Sequence, residues 1–149
     1  MQKSNSTIKT LIILICLSFL IAPLRSYAKG TEKTPDFIAG SVKIDAEGLI
    51  NQAEKETKLI IIDSRINSDR QQGFIEGSIS LPDTQTSCTT LSKKLPHKNF
   101  PVIFYCNGPK CGRSVVAVKV AVLCGYKNIY WFRGGFEEWK QKKYPYITK

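Results

Sequence analysis

PVIFYCNGPKCGRSVVAVKVAVLCGY, residues 101–126, carries a strand, a turn-rich loop and a helix in one stretch, and the rest of the chain is read outward from it. Residues 101–105 are a short apolar run of buried-strand character, and Cys106 stands where the run ends. Asn107, Gly108, Pro109, Lys110, Cys111 and Gly112 form a loop without an acidic residue. Arg113 and Ser114 then open an apolar helix that stops before Gly125. A loop feeding a helix N-terminus points its backbone N–H groups inward, and together with the helix dipole they favour an anion. Here that anion is a thiolate at Cys106, a candidate nucleophile. Lys110 and Arg113 add positive charge that stabilises it and attracts an anionic substrate. A loop cysteine without such help is ionised only to a small extent at neutral pH.

Strand and helix signals alternate on both sides of this segment. Residues 38–44 alternate, with Ile38, Val42 and Ile44 apolar. Residues 59–62 are fully apolar and end in Asp63, the pattern of a parallel strand covered on both faces. Residues 73–82 read as a turn and a short strand, and residues 128–132 as a fifth strand. Helical stretches are expected from Asp45, an N-cap, to residue 51, at 66–72, weakly in the Ser/Thr-rich 84–95, at 114–123 and at 136–142. Residues 54–58 read as a charged connector, and helix 114–123, apolar on most sides, as buried. The alternation predicts an α/β fold, a parallel five-stranded sheet with helices on both faces. Functional crevices in such sheets lie outside the carboxyl ends of strands, where Cys106 and Asp63 stand.

The 149 residues allow one domain. Residues 1–10 carry Lys3 and Lys9 and no acid, residues 11–24 are almost unbroken apolar sequence, and Ala28 offers a cleavage site. These are the marks of a secretory signal peptide, residues 1–28, with an uncleaved anchor as the alternative. Pro23 and the shortness of the run argue against a span, which needs about 20 residues. Residues 29–37 then read as a flexible polar arm and 38–149 as the domain, secreted or periplasmic after cleavage and touching membrane only through the signal. Removing Lys3, Lys9 and Arg25 takes the net charge from +10 to +7. The basic residues are dispersed rather than grouped with aromatics, so nucleic acid is not the expected partner; small anions are. Four cysteines remain after cleavage, Cys88, Cys106, Cys111 and Cys124, and in an oxidising compartment all three full pairings stay open. Cys124, near the end of an apolar helix, reads as a small buried hydrophobe, and Cys88 as free or paired with Cys111 or Cys124. The spacing lacks the usual zinc patterns, and the single histidine, His97, reads as a surface residue.

Four segments resemble the rhodanese family, in the family's order, across about residues 38–145. They are IIDSR (61–65), GFIEGSISLP (73–82, with Phe74 where histidine is usual), VIFYC followed by a loop and RS (102–114), and GYKNIYWFRGGFEEW (125–139). Cys106 to Arg113 spans eight residues, longer than the family's usual loop; the form Cys-Asn-Gly-Pro-x-Cys occurs among secreted rhodanese-like proteins. The resemblance implies a sulfurtransferase that needs no metal or organic cofactor. A thiolate takes sulfur from thiosulfate or a related small anionic donor, holds it as a persulfide, and yields it to a thiol or cyanide acceptor. Cys106 would be the nucleophile. The loop from Asn107 through Gly108, Lys110, Cys111 and Gly112 to Ser114 would receive the substrate, and Arg113 would orient it or brace the loop. Asp63 and Arg65 would pair as structural support. Cys111 is open to two readings, a resolving or redox cysteine and a loop filler. The first supports the alternative of a periplasmic thiol–disulfide oxidoreductase using the Cys106/Cys111 pair. A phosphatase or arsenate-reductase-like enzyme and a non-catalytic binding module are further rivals.

Overall fold

The computed structural model describes residues 34–148. Among these, five strands form one sheet in the order β1-β5-β4-β2-β3, with every neighbouring pair parallel. The strands are β1 Val42–Ile44, β2 Ile60–Asp63, β3 Ile79–Ser80, β4 Val102–Tyr105 and β5 Ile129–Phe132. The helices are α1 Ala46–Lys55, α2 Asn67–Gln71, α3 Cys88–Lys94, α4 Arg113–Leu123 and α5 Gly135–Gln141, with a 3-10 turn at Asp83–Gln85. The α/β class and the five-stranded parallel sheet are as expected. The expected signal peptide, residues 1–28, and the first part of the expected arm, residues 29–33, lie outside the described residues.

β4 is central, and all four of its residues are buried. Successive side chains leave a strand on opposite faces, so an unbroken apolar strand feeds two cores at once. Val102 and Phe104 join Ile62, Ile129 and Trp131 beneath Leu91 of α3 and Val115, Val118 and Ala121 of α4. Ile103 and Tyr105 join Phe132 on the other face, beneath Leu49 of α1 and Phe136 and Trp139 of α5. Each such side chain contributes about 1.5–3 kcal/mol by leaving water.

The ends of the helices follow local chemistry. The Asp45 carboxylate accepts from Gly48 N at 2.8 Å and starts α1, which runs through Lys55 and so takes in the start of the expected connector. Lys55 lies in the last turn, where a cation suits the dipole. Ser87 and Thr90 form a capping box that gives the Ser/Thr-rich stretch its helix, α3. In α4, Val115, Ala117, Val118 and Ala121 are buried, but Val116 and Leu123 face solvent, so that helix is covered on one side rather than all round.

The reading of Cys124 as a buried apolar filler is corrected: it forms a disulfide with Cys88, Cα atoms 5.4 Å apart, tying the start of α3 to the end of α4. Apolar periodicity reports that a helix packs, not which residue faces its last turn, and the exposed Cys88 is that residue. Among the described residues the cysteines left as free thiols are Cys106 and Cys111. The bridge closes a sequence separation of 36 residues. Replacing both Cys88 and Cys124 by serine should lower unfolding stability by about 2–4 kcal/mol in a urea titration. Reduction of the unmodified chain should have the same effect, and an unchanged midpoint would mean that the bridge does not constrain the unfolded chain.

Candidate active site

The segment after β4 is shaped by α5. The N–H of Phe136 donates to the carbonyl of Cys106 at 2.8 Å, and that of Glu137 to the carbonyl of Asn107 at 2.7 Å. These are the otherwise unpaired donors of a helix N-terminus. They pull the loop carbonyls outward and leave the loop's own N–H groups to face the other way. Gly135 permits this approach: its φ is +60°, and a Cβ there would stand 2.3 Å from the Cys106 carbonyl oxygen. A turn bond from Cys111 N to Gly108 O, 2.9 Å, closes the loop before α4 begins at Arg113. Gly112, the N-cap, offers no side-chain cap, so the first N–H groups of α4 remain available to an anion.

Both loop sulfurs sit at that helix end. Cys106 is 1% exposed; its Sγ lies 3.1 Å from the carbonyl oxygen of Cys111 and 3.1 Å from Ser114 Oγ. Trp131 Nε1 donates to the same Ser114 Oγ at 3.0 Å, which leaves the serine's own proton for the Cys106 sulfur. Cys111 is half-buried. The Cys106 thiol donates to the Cys111 carbonyl oxygen, and the Cys111 side chain lies within bonding reach of it. Contact with that side chain, and then burial, pushes the Cys106 thiol well up. The same contact lowers Cys111 to about 6, against the pull of its own burial; the N–H groups of Arg113 and Asn107 and the Arg113 charge assist. The two shifts run in opposite directions and favour Cys111 as the more readily ionised sulfur of the pair.

Arg113 turns away from the sulfurs. Its Nη1 meets Asp69 Oδ2 at 3.2 Å, and its Nε stands 3.6 Å from Asp83 Oδ1. Asp69 Oδ2 also accepts from Asn107 Nδ2 at 2.8 Å. One carboxylate thus fastens both ends of the loop to α2, and Arg113 braces the loop in this arrangement. Lys110 is exposed at the loop's tip, next to Pro109, whose carbonyl accepts from the Thr34 hydroxyl. The neighbouring Pro35 carbonyl takes Arg133 Nε at 3.0 Å, so residues 34–35 lie along this end of the sheet.

Asp63 and Arg65 form a buried pair one strand away. Arg65 Nη2 and Nε reach the Asp63 carboxylate at 2.7 and 2.9 Å, and both residues are at most 1% exposed. Arg70 Nη1 and the Tyr105 hydroxyl complete the shell of Asp63 at 2.9 and 2.8 Å. Burial alone would raise the Asp63 pKa, but the hydrogen bonds and charge of Arg65 outweigh it and hold the carboxyl below its ordinary value. Tyr105, the residue before Cys106, is pushed up by burial and by the Asp63 charge and stays a hydrogen donor. This cluster clamps the ends of β2 and β4 in register.

Cys106, Asn107, Gly108, Cys111, Gly112, Arg113 and Ser114 come together as one loop and helix start; Asp63 and Arg65 pair beneath it, and His97 is exposed. Asp69, Asp83, Trp131 and Gly135 also serve this loop, and the sequence does not mark them as its partners. Asp69 lies in a polar stretch with nothing in its spacing to connect it to Arg113, since the two meet only across the fold. The Gly134-Gly135 turn was a visible signal, but its target, the Cys106 carbonyl, was not. Among the described residues no group of three or more His, Cys, Asp or Glu side chains is placed to hold a metal.

Comparison with known proteins agrees with this geometry. Residues 45–142 match the model of the rhodanese-like domain family, and the chain belongs to that family. A rhodanese domain-containing protein of Drosophila melanogaster is 32% identical over 94 residues, covering 56% of this chain and 83% of that protein. The crystal structure of the BH2092 protein of Bacillus halodurans superposes with a TM-score of 0.64 at 25% identity, over 72% of this chain and 77% of that one. The polysulfide-sulfur transferase homodimer of Wolinella succinogenes shares the fold, with a TM-score of 0.62 at 19% identity over 74% of this chain and 81% of that one. The family is one of sulfur-transfer proteins.

Two outcomes follow from the site. Alkylation of Cys111 by iodoacetamide, read by peptide mapping, should rise through about pH 6 and level off above it. In Cys106→Ala the midpoint should move up toward about 8.5, since the largest cause of the low value is gone; an unmoved midpoint would refute the effect of Cys106 on Cys111. Asp63→Asn should cost about 3–5 kcal/mol by leaving Arg65 buried without its counter-charge. Because the native Asp63 value is depressed, its contribution is complete above the unfolded carboxylate value of about 3.9 and is lost as pH falls through the native one. The variant's acid unfolding curve should therefore be flatter in that window.

Proposed function

We propose that this chain is an exported sulfurtransferase that moves sulfane sulfur from thiosulfate, or a related small anionic donor, to a thiol or cyanide acceptor through a persulfide on Cys106. The observation that carries this reading is the placement of the Cys106 sulfur at the end of the central strand, beneath the uncapped N-terminus of α4 and 3.1 Å from Ser114 Oγ. Membership in a sulfur-transfer family supports it. The Cys88–Cys124 disulfide supports export to an oxidising compartment, the periplasm, after removal of residues 1–28.

The geometry suggests the course of the reaction. Cys106 yields its proton to the Cys111 thiolate as the donor enters, so the pair keeps one proton and one negative charge. The Cys106 sulfur attacks the outer sulfur of thiosulfate, a new S–S bond forms, and sulfite leaves with the electron pair of the broken bond. The N–H groups at the start of α4 and the Ser114 hydroxyl, oriented by Trp131, stabilise the persulfide anion. An acceptor thiol or cyanide then removes the outer sulfur, which makes the cycle ping-pong. Arg113, held by Asp69 and Asp83, keeps the loop in shape, and its charge and that of Lys110 attract the donor.

The test is thiocyanate formation from thiosulfate and cyanide by the prereduced chain. Cys106→Ser should lower turnover by a factor on the order of 10³ or more. Turnover unchanged in Cys106→Ser would sink the reading. No thiocyanate from the prereduced unmodified chain would remove thiosulfate as the donor. Gly135→Ala should also lower turnover, because its Cβ displaces the Cys106 carbonyl and with it the loop.

A further inference from the structure

The mechanism above uses Cys111 only as a proton acceptor, yet Cys111 lies directly against Cys106. The Cys106 sulfur is 3.1 Å from the carbonyl oxygen of residue 111, which brings that residue's backbone within a side chain's length of it. The turn bond from Cys111 N to Gly108 O fixes the backbone at residue 111, and the Cys111 side chain lies within bonding reach of the Cys106 side chain. The half-buried Cys111 is also the more accessible of the two sulfurs, while Cys106 is 1% exposed. The remaining cysteines are already joined to each other, so no other cysteine of the described residues is free to pair with either loop sulfur. A serine or alanine at 111 would satisfy the same turn; a second thiol against the first adds redox chemistry.

We infer that Cys111 resolves the persulfide on Cys106, releasing the transferred sulfur as hydrosulfide and closing a Cys106–Cys111 disulfide. The inference rests on the persulfide reading. The Cys111 sulfur attacks Sγ of Cys106, the bond between that Sγ and the outer sulfur breaks, and the outer sulfur leaves with the electron pair. The one proton shared by the pair departs with it as HS⁻. The outer sulfur is reduced from the sulfane to the sulfide level, and the two cysteine sulfurs are oxidised to a disulfide, so this step needs no outside oxidant. The low pKa of Cys111 suits it to the attack, since the thiolate is the reacting form. A second turnover needs two electrons and one proton, and a dithiol reductant is the class of partner that supplies them by disulfide exchange. The chain is then the sulfane-reducing member of a sequence in which one reaction delivers sulfane sulfur and a dithiol–disulfide exchange returns the loop to its reduced form.

The full chain, reduced and freed of reductant in the absence of air, is mixed with one equivalent of glutathione persulfide. Released sulfide, intact mass and a non-reducing peptide map are then recorded. The unmodified chain should release at least tenfold more sulfide than Cys111→Ser and show a peptide linked through Cys106 and Cys111. Cys111→Ser should instead hold the mass of one added sulfur on Cys106. Cyanide added afterwards should release that held sulfur from Cys111→Ser as thiocyanate, because no sulfur is diverted to sulfide. An unmodified chain that holds the added sulfur as stably as Cys111→Ser, without sulfide, overturns the resolving role and leaves the persulfide reading standing. If neither chain gains sulfur nor releases sulfide, the persulfide reading itself falls, and the resolving step with it. Sulfur carried on Cys111 in Cys106→Ser reverses the roles of the two cysteines and equally overturns the inference.

Discussion

Two backbone hydrogen bonds hold the site in its working shape: Phe136 N–H to the Cys106 carbonyl and Glu137 N–H to the Asn107 carbonyl. They join the N-terminus of α5 to the segment that leaves β4. A loop left to itself can point its carbonyls at the sulfur, which would repel a thiolate. With those two carbonyls engaged by the free donors of another helix, the carbonyl that faces the Cys106 sulfur is that of Cys111, which accepts from its thiol, and the start of α4 is left open to the sulfurs. Gly135 makes the contact possible, since any side chain there would meet the Cys106 carbonyl at less than contact distance. Two helix N-termini thus meet at one loop, one binding its carbonyls and the other offering N–H groups to what the loop holds.

Charge around the loop is divided by depth. Asp63, Arg65 and Arg70 neutralise one another in the interior, with Tyr105 donating into the same carboxylate, and their work is to fix the strand ends. A buried charge set of this kind is costly to break but adds little net stability over an apolar cluster of the same volume, so its value lies in geometry. Nearer the surface, Asp69 and Asp83 hold Arg113 against the outside of the loop. Their effect on the sulfurs is indirect. They keep the loop's ends together and offset part of the Arg113 charge, so that Lys110, the helix dipole and the remainder of that charge make the positive field at its mouth.

The four cysteines of the domain divide by the same logic of neighbours. Cys88 and Cys124 meet at the solvent edge between two helices, where a covalent tie replaces packing that a thin layer cannot supply. Cys106 and Cys111 meet at the start of α4, and there the Cys106 side chain, with the nearby N–H groups, lowers the pKa of Cys111. Sulfur is structural in one place and reactive in the other because of the donors around it, and nothing in the cysteine itself differs.

The parallel α/β sheet was legible because apolar runs such as 59–62 and 101–105 have no polar break, and a strand covered on both faces can carry none. The start of α1 was legible because capping is local, set by Asp45 and a donor three residues on. Cys106 stood out because a strand end, a turn-rich loop and a helix start are contiguous in the chain. What the chain order could not display is whatever meets across it. The partner of Cys124, the clasp of Asp69 on Asn107 and Arg113, and the approach of Gly135 to the Cys106 carbonyl are decided by how helices α2, α3 and α5 dock on the sheet. The lowered pKa of Cys111 belongs to the same class, since its largest cause is the side chain of Cys106, met across the folded loop, and the N–H groups of Arg113 and Asn107 only add to it. Sequence alone determined the elements and the reactive loop, because those follow from periodicity and contiguous turn chemistry; tertiary structure decided the partners, because hydrogen bonds and charges act over a few ångströms of space and take no account of separation along the chain.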